Sequence, residues 1–188
     1  MHLILPKKFI DKATIQQQPL FFIAGPVLGG DNWQEKCCEE LAKCLPRFFA
    51  VVPCNWGYST KLSNFFVNGV LGKFPDQTSW EYHYLKLANE LSEEHRGCII
   101  FWLPVESKEH PRVGDSPYAG DTRGELGRWS KDAAWRGGHI VVGAESGFPR
   151  WRNIQRQMEL DFNLPPGEKF PIYPTLQETV LQAVQWVI

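Results

Sequence analysis

The residues best suited to chemistry lie in one glycine-rich stretch, Ser116–Trp129, which contains the carboxylates Asp121 and Glu125. A carboxylate can act as a nucleophile or exchange a proton with a bound ligand. The hydrophobic run 98–103 has the pattern of a buried strand, and a polar loop separates it from this stretch. We expect Asp121 or Thr122 to cap a helix after that strand, so that Glu125 lies in its first turn.

The position of Glu125 suits ligand binding, because ligands of an open parallel sheet bind where strands end and helices begin. An acidic residue near a helix start also complements the helix dipole, and this purely structural role is the alternative. The nearby glycines, Gly120, Gly124 and Gly127, favour ligand binding, since they let backbone and ligand approach Glu125 closely.

The order of strand and helix patterns predicts the fold that positions this stretch. Apolar runs bounded by glycine and proline predict strands at 20–24, 48–52, 98–103, 139–143 and 170–173. Helical periodicity and end signals predict helices at 33–45, 80–91, 122–136, 150–162 and 175–187. Strands that alternate with helices pair in parallel through right-handed crossovers. We therefore expect an α/β fold, a three-layer α/β/α sandwich of flavodoxin or Rossmann type, with a mainly parallel sheet of about five strands.

The length of 188 residues predicts one domain over residues 1–188, in which 1–19 form a loose lead-in. Residues 57–78 mix apolar side chains with glycines, and we expect a loop with a short helix there.

Composition argues against several functional classes. The formal net charge of −1 disfavours a nucleic-acid-binding protein, which normally carries a basic excess. No window approaches the apolar length of a membrane span, and the first residues do not resemble a signal peptide. The five cysteines show no metal-ligand spacing, and their odd number leaves one without a disulfide partner. Buried, reduced thiols of a cytoplasmic protein are the simplest interpretation.

Three loops should converge at the carboxyl ends of the strands: residues 25–32, residues 53–58 and the loop that leads to Glu125. The first lacks the glycine spacing of the dinucleotide fingerprint and of the phosphate-binding P-loop, which argues against a nicotinamide dehydrogenase or a kinase. Candidate substrate contacts from these loops and the helix start behind them are Gly25, Pro26, Trp33 and Asn55.

Five motifs in this order resemble the nucleoside 2-deoxyribosyltransferase family, in particular its small phage and bacterial members. They are Phe22-Ile23-Ala24-Gly25-Pro26, Trp33, Trp80-Glu81, Ile100-Phe101-Trp102-Leu103-Pro104 and Thr122-Arg123-Gly124-Glu125-Leu126-Gly127. The resemblance covers about residues 20–160, and its most specific part is Glu-Leu-Gly after the third predicted strand.

The resemblance implies that Glu125 is the nucleophile. Its carboxylate would attack the anomeric carbon of deoxyribose as the base departs, and a second base or water would then release the sugar with retention of configuration. Asp121 is the candidate for protonating the leaving base, with a helix N-cap as the alternative role. The chain has Ala119 and Arg96-Gly97 where the family has further aspartates. Glu81 is the candidate to replace one of them, unless it is a solvated helix residue.

The resemblance also implies a shared site in a homo-oligomer, a dimer or a higher assembly. Asn153 and Gln155 match the asparagine and the nearby side chain that a neighbouring subunit contributes in the family. Arg123, beside the nucleophile, could hold a 5′-phosphate, whereas a structural salt bridge is its alternative role. The chemistry requires no cofactor and no metal.

We therefore expect an enzyme that cleaves the N-glycosidic bond of a small-molecule 2′-deoxynucleoside or deoxynucleotide, by transfer to another base or by hydrolysis. Two alternatives stay open at this point. One is a nucleotide-binding regulatory module without turnover, and the other is a phosphoribohydrolase-like N-glycosidase that acts on ribonucleotides.

Overall fold

The computed structural model describes residues 1–54, 60–114 and 117–188, and these ranges contain one parallel sheet. Its strands are β1 (His2–Ile4), β2 (Leu20–Ala24), β3 (Phe49–Val51), β4 (Gly97–Leu103), β5 (Ile140–Ala144) and β6 (Ile172–Tyr173). They lie in the order β1-β3-β2-β4-β5-β6, and every pairing between neighbours is parallel.

The strand order reverses between β2 and β4, the two central strands. From β2 the chain moves outward to β3 on one side, whereas β4, β5 and β6 are added on the other side. The connections after β2 and β4 therefore leave the sheet in opposite directions. The resulting crevice at the carboxyl ends of these strands is the usual ligand site of open α/β sheets.

Helices cover both faces of the sheet. They are α1 (Lys12–Ile15), α2 (Trp33–Cys44), α3 (Gln77–Ser92), α4 (Gly120–Arg136), α5 (Trp151–Asp161) and α6 (Leu176–Gln185). One hydrophobic cluster joins α2 and α6 to one face, and a second joins α3, α4 and α5 to the other. The expected three-layer α/β/α sandwich is confirmed.

The central strands are buried on both faces, as their continuous apolar sequences predict. In β2, Phe21 and Ile23 belong to the cluster with α2 and α6, whereas Phe22 packs on the opposite face. In β4, Trp102 and Phe101 divide between the same two clusters. This division follows from the alternation of side chains across a strand.

The expectation of a loose lead-in over residues 1–19 is wrong. Residues His2–Ile4 form β1, which pairs with β3, and Leu3 and Ile4 are fully buried. Asp11 caps the short helix α1 by accepting a hydrogen bond from the Thr14 N–H at 2.9 Å. The described sheet therefore has six strands instead of about five. The additional strand is β1, which was not predicted because its apolar run is short.

The start of α4 also differs from the prediction. Ala119, in a left-handed conformation with φ of 56°, precedes the helix, and the Gly120 N–H donates to Pro117 O at 3.1 Å. The N-cap is Ala119, whose side chain makes no capping hydrogen bond, and Asp121 and Thr122 both lie inside the first turn, so neither is the expected N-cap. Glu125 is the sixth residue of α4 and lies in the second turn, one turn after Asp121.

Several other expectations hold in the described ranges. A short 3-10 helix, Ser63–Phe65, is the only helix between residues 60 and 76, as expected for the loop region. Gly137 ends α4 with φ of 72°. The thiols of Cys37, Cys38 and Cys98 are buried. None of the helices in the described ranges is both long and apolar enough to cross a membrane.

Candidate active site

A cavity of about 640 Å³ opens at the carboxyl edge of the sheet. Its wall includes residues that follow three neighbouring strands: Pro6 after β1, Gly25 and Pro26 after β2, and Pro53 and Cys54 after β3. The first two turns of α3 and of α4, together with Arg112 and Ala119 from the connection between β4 and α4, complete the wall. The predicted convergence of the three loops is confirmed for their described residues, and the volume lies within the range of about 300–1,000 Å³ that is usual for ligand sites.

Helix α3 directs Glu81 into this cavity. Asp76 starts the helix by accepting a hydrogen bond from the Ser79 N–H at 2.7 Å. Trp80 is fully buried in the core, and its indole N–H donates to Lys8 O at 2.9 Å. Because successive helix positions are rotated by about 100°, the neighbouring Glu81 lies on the adjacent face of α3, where it lines the cavity together with Gln77.

Helix α4 contributes Asp121 and Glu125 to the same wall. Leu126, Trp129 and Ala133 pack into the core and fix the rotation of the helix. Residues four apart lie on one face of a helix, so Asp121 and Glu125 are neighbours in the wall. Asp121 is exposed, whereas Glu125 is partly buried.

The carboxyl groups of Glu81, Asp121 and Glu125 form an acidic cluster. Burial in the first place, and then the charges of Glu81 and Asp121, raise the pKa of Glu125 to about 7. Burial also raises the pKa of Glu81, although the hydrogen bond from Gln77 Nε2 to Oε1 at 2.7 Å opposes this effect. The pKa of Glu125 lies near neutral pH, as is typical of groups that transfer protons or attack substrates in enzymes.

Gly25, which follows β2, allows the Trp33 ring and the Trp102 backbone to pack closely against the cavity wall. A Cβ atom at Gly25 would lie 2.4 Å from Trp102 O and 2.5 Å from the Trp33 ring. The Trp33 indole N–H donates to Pro26 O at 2.8 Å, and its side chain is buried. Trp33 therefore supports the loop from the core instead of lining the cavity, which corrects the expected contact with the substrate.

The three glycines around Glu125 are equally open at the surface, but only one of them lines the cavity. A Cβ atom at Gly120, Gly124 or Gly127 would meet no other atom within 4 Å, so the surface beside them is open. Of the three, Gly120 lines the cavity. Gly120 can therefore admit a ligand to the cavity, whereas Gly124 and Gly127 do not contribute to its wall.

Arg123 does not reach the cavity. Its Nη2 donates to Pro149 O at 3.1 Å, and its guanidinium lies 5.2 Å from the centre of the Phe148 ring. These contacts attach α4 to the connection between β5 and α5. Arg123 is therefore not placed to meet a ligand in this cavity, and it forms no salt bridge among the described residues. Arg112, in the connection between β4 and α4, lines the cavity instead.

Asn153 and Gln155 lie on α5, outside the cavity wall of their own chain. The side chain of Asn153 is exposed, and Gln155 Nε2 donates to Phe170 O at 2.8 Å. The contribution of these residues to the site of a second subunit stays a prediction. Asn55 lies outside the described residues.

The sequence pattern did not identify four polar side chains of the wall: Gln77, Thr78, Arg112 and Thr122. Gln77 could have been found, because it lies one helical turn before Glu81 and shares its face of α3. Arg112 lies in an irregular loop, where no periodicity indicates the direction of a side chain.

The acidic cluster is not arranged as a metal site. Within residues 1–54, 60–114 and 117–188, no three side chains of His, Cys, Asp or Glu converge as metal ligands. The cluster can instead supply a nucleophile, a proton carrier and negative charge around a bound molecule.

No protein-family model and no curated protein matches the chain.

Proposed function

We propose that the chain cleaves the N-glycosidic bond of 2′-deoxynucleosides or deoxynucleotides, in the manner of nucleoside 2-deoxyribosyltransferases. The sugar would pass through a covalent ester with Glu125 to another base or to water. The observation that carries this proposal is the position of Glu125, partly buried in a cavity at the reversal of strand order and flanked by two further carboxylates.

The excess of negative charge in the wall suits this reaction. When the bond from C1′ to the base breaks, the sugar develops an oxocarbenium-like positive charge. Carboxylates placed around that carbon stabilise the charge as it forms. Reactions that develop an oxyanion would be disfavoured beside Glu81, Asp121 and Glu125.

Each half of the reaction balances with one nucleophile and one proton carrier. In the first half, ionised Glu125 forms a bond to C1′ while the base leaves with the electrons of the C1′–N bond and accepts a proton. In the second half, the acceptor base or water loses a proton and attacks C1′, which releases the Glu125 carboxylate. Two displacements at the same carbon retain its configuration.

Glu81 is better suited than Asp121 to carry the proton. Its pKa is raised by burial, so it binds a proton more readily than an ordinary glutamate. Gln77 holds one carboxyl oxygen of Glu81 and leaves the other available. Asp121, which is exposed, contributes negative charge to the cavity wall.

Base release is the direct test. The protein is incubated with the four common 2′-deoxynucleosides and their 5′-monophosphates, with and without free adenine, and products are separated by chromatography. A new nucleoside or nucleotide indicates transfer, and free base alone indicates hydrolysis. Absence of both contradicts the proposal, and ribonucleosides that react as fast as deoxyribonucleosides contradict the choice of sugar.

Variants test the role of Glu125. Glu125→Ala should lower base release by on the order of a thousandfold or more, because the nucleophile is lost. Glu94→Gln, which removes a carboxylate from the exposed turn after α3, serves as the control and should keep full activity. Mass spectrometry of the rapidly quenched wild type should detect the mass of one deoxyribosyl group on the peptide that contains Glu125. Activity that persists in Glu125→Ala would refute the mechanism.

A further inference from the structure

Arg112 is a positive side chain in a cavity whose other charged groups are carboxylates. Among the described residues of the wall it is the only lysine or arginine. The wall therefore has an acidic part, formed by Glu81, Asp121 and Glu125, and a single basic group on the connection between β4 and α4. A ligand that matches this distribution carries negative charge at some distance from its reacting carbon.

The loop holds Arg112 in place before any ligand binds. Its backbone N–H donates to Glu106 Oε1 at 3.0 Å, and its Nη1 donates to Pro117 O at 2.6 Å. The loop also packs closely against Gly29, where a Cβ atom would lie 3.2 Å from the backbone nitrogen of Arg112. A side chain fixed in this way loses little conformational entropy when it binds a ligand.

The guanidinium of Arg112 keeps most of its capacity for hydrogen bonds. Within the described ranges, no carboxylate oxygen lies within 4.0 Å of a guanidinium nitrogen of Arg112, so it forms no ion pair there, although three carboxylates share its cavity. The bond to Pro117 O uses one N–H group of the five that a guanidinium carries. The planar fork that remains is suited to a phosphate group, which it can bind through two parallel hydrogen bonds.

We propose that Arg112 binds the 5′-phosphate of the substrate, so that the site prefers 2′-deoxynucleoside 5′-monophosphates to the corresponding nucleosides. The inference rests on the proposed function for its sugar and base. C1′ and C4′ flank the ring oxygen, and the 5′-phosphate extends from C4′ through C5′, away from C1′. This separation matches a cavity in which the arginine is beyond ion-pair distance from the carboxylates that would surround C1′.

Kinetics with paired substrates test the preference. Wild-type kcat/KM for each 5′-monophosphate should exceed that for its nucleoside. Arg112→Gln should lower kcat/KM for the monophosphates by on the order of 10–100-fold, the usual loss of a charge-assisted hydrogen-bond pair. The kcat/KM for the nucleosides should fall much less. Arg112→Lys should restore part of the kcat/KM for the monophosphates that Arg112→Gln loses.

Arg96→Gln is a matched control. Arg96 also donates one hydrogen bond from Nη1 to a carbonyl, that of Gln16, but it lies at the opposite edge of the sheet, just before β4. This variant should leave kcat/KM unchanged for both the monophosphates and the nucleosides. Equal turnover of nucleosides and monophosphates by the wild type would overturn the inference, and so would an equal loss of both in Arg112→Gln, which would indicate that Arg112 only supports the loop.

Binding separates failure of this inference from failure of the proposed function. Isothermal titration with 2-deoxyribose 5-phosphate and with 2-deoxyribose needs neither turnover nor the correct base. The phosphate should bind more tightly, and Arg112→Gln should abolish the difference. If no base is released but this pattern is found, the proposed function fails and the phosphate site stands. If the two sugars bind equally to the wild type, the phosphate site is refuted.

Discussion

Replacement of Glu125 by glutamine should stabilise the protein at neutral and alkaline pH, and the gain should disappear in acid. Burial, with the charges of Glu81 and Asp121, raises the pKa of Glu125 to about 7 from an ordinary value of 4.5. Between these two values the folded state binds more protons than the unfolded state, so stability falls as pH rises. Glutamine has nearly the same shape but never acquires the charge.

The size of the effect follows from the two pKa values. At about 1.36 kcal/mol per pH unit, the interval from 4.5 to about 7 corresponds to about 3 kcal/mol in the free energy of unfolding. This value is an upper limit, because Glu125 is only partly buried and water reduces the penalty of its charge. In the wild type, the charge of Glu125 should lower the free energy of unfolding fully above its pKa in the folded state. It should have no effect below its pKa in the unfolded state.

Urea unfolding at a series of pH values from about 4 to about 8.5 measures the difference across this window. The stability of Glu125→Gln relative to the wild type should rise from near zero in acid to a plateau above pH 7. Glu94→Gln is the control for loss of an exposed carboxylate, and its difference from the wild type should stay within about 0.5 kcal/mol throughout. A difference for Glu125→Gln that does not change with pH would refute the reasoning.

Two further predictions concern the same cavity. Because Glu125 must be ionised to attack, the acidic limb of the kcat/KM profile should have its midpoint near the Glu125 pKa of about 7. Glu81→Gln should lower kcat/KM because the proton carrier is lost, and it should also move the acidic midpoint of the remaining activity to lower pH because the charge of Glu81 helps to raise the Glu125 pKa; an unchanged midpoint would contradict the coupling. Trp33→Phe should lower the free energy of unfolding by about 1–3 kcal/mol in urea titrations, since buried Pro26 O loses its donor, and should also slow base release because the Gly25–Pro26 part of the wall loses its support; unchanged stability and activity would contradict this role of Trp33.

The order of apolar runs and helical patterns is sufficient to predict the architecture and the place of the acidic motif. Apolar runs such as 98–103 encode strands buried on both faces, and helical periodicity encodes which face of α4 enters the core. Because ligands bind at the carboxyl ends of parallel strands, the positions of Gly25, Pro26 and Glu125 in the chain were enough to predict that they line one cavity. The sequence does not predict the pairing of β1, since only three apolar residues, Leu3 to Leu5, stand together there before Pro6, whereas five, Phe48 to Val52, mark β3.

The set of side chains that share the cavity, and the charge that each of them experiences, depend on the packing of distant elements. Helices α3 and α4 pack side by side, and this packing brings Glu81 beside Glu125 although 44 positions separate them in the chain. Local patterns record local hydrogen bonds and burial, whereas the direction of a side chain in an irregular loop depends on contacts with distant elements. For this reason the arginine that lines the cavity is Arg112 and not Arg123. Trp33 is buried behind the wall and does not line it.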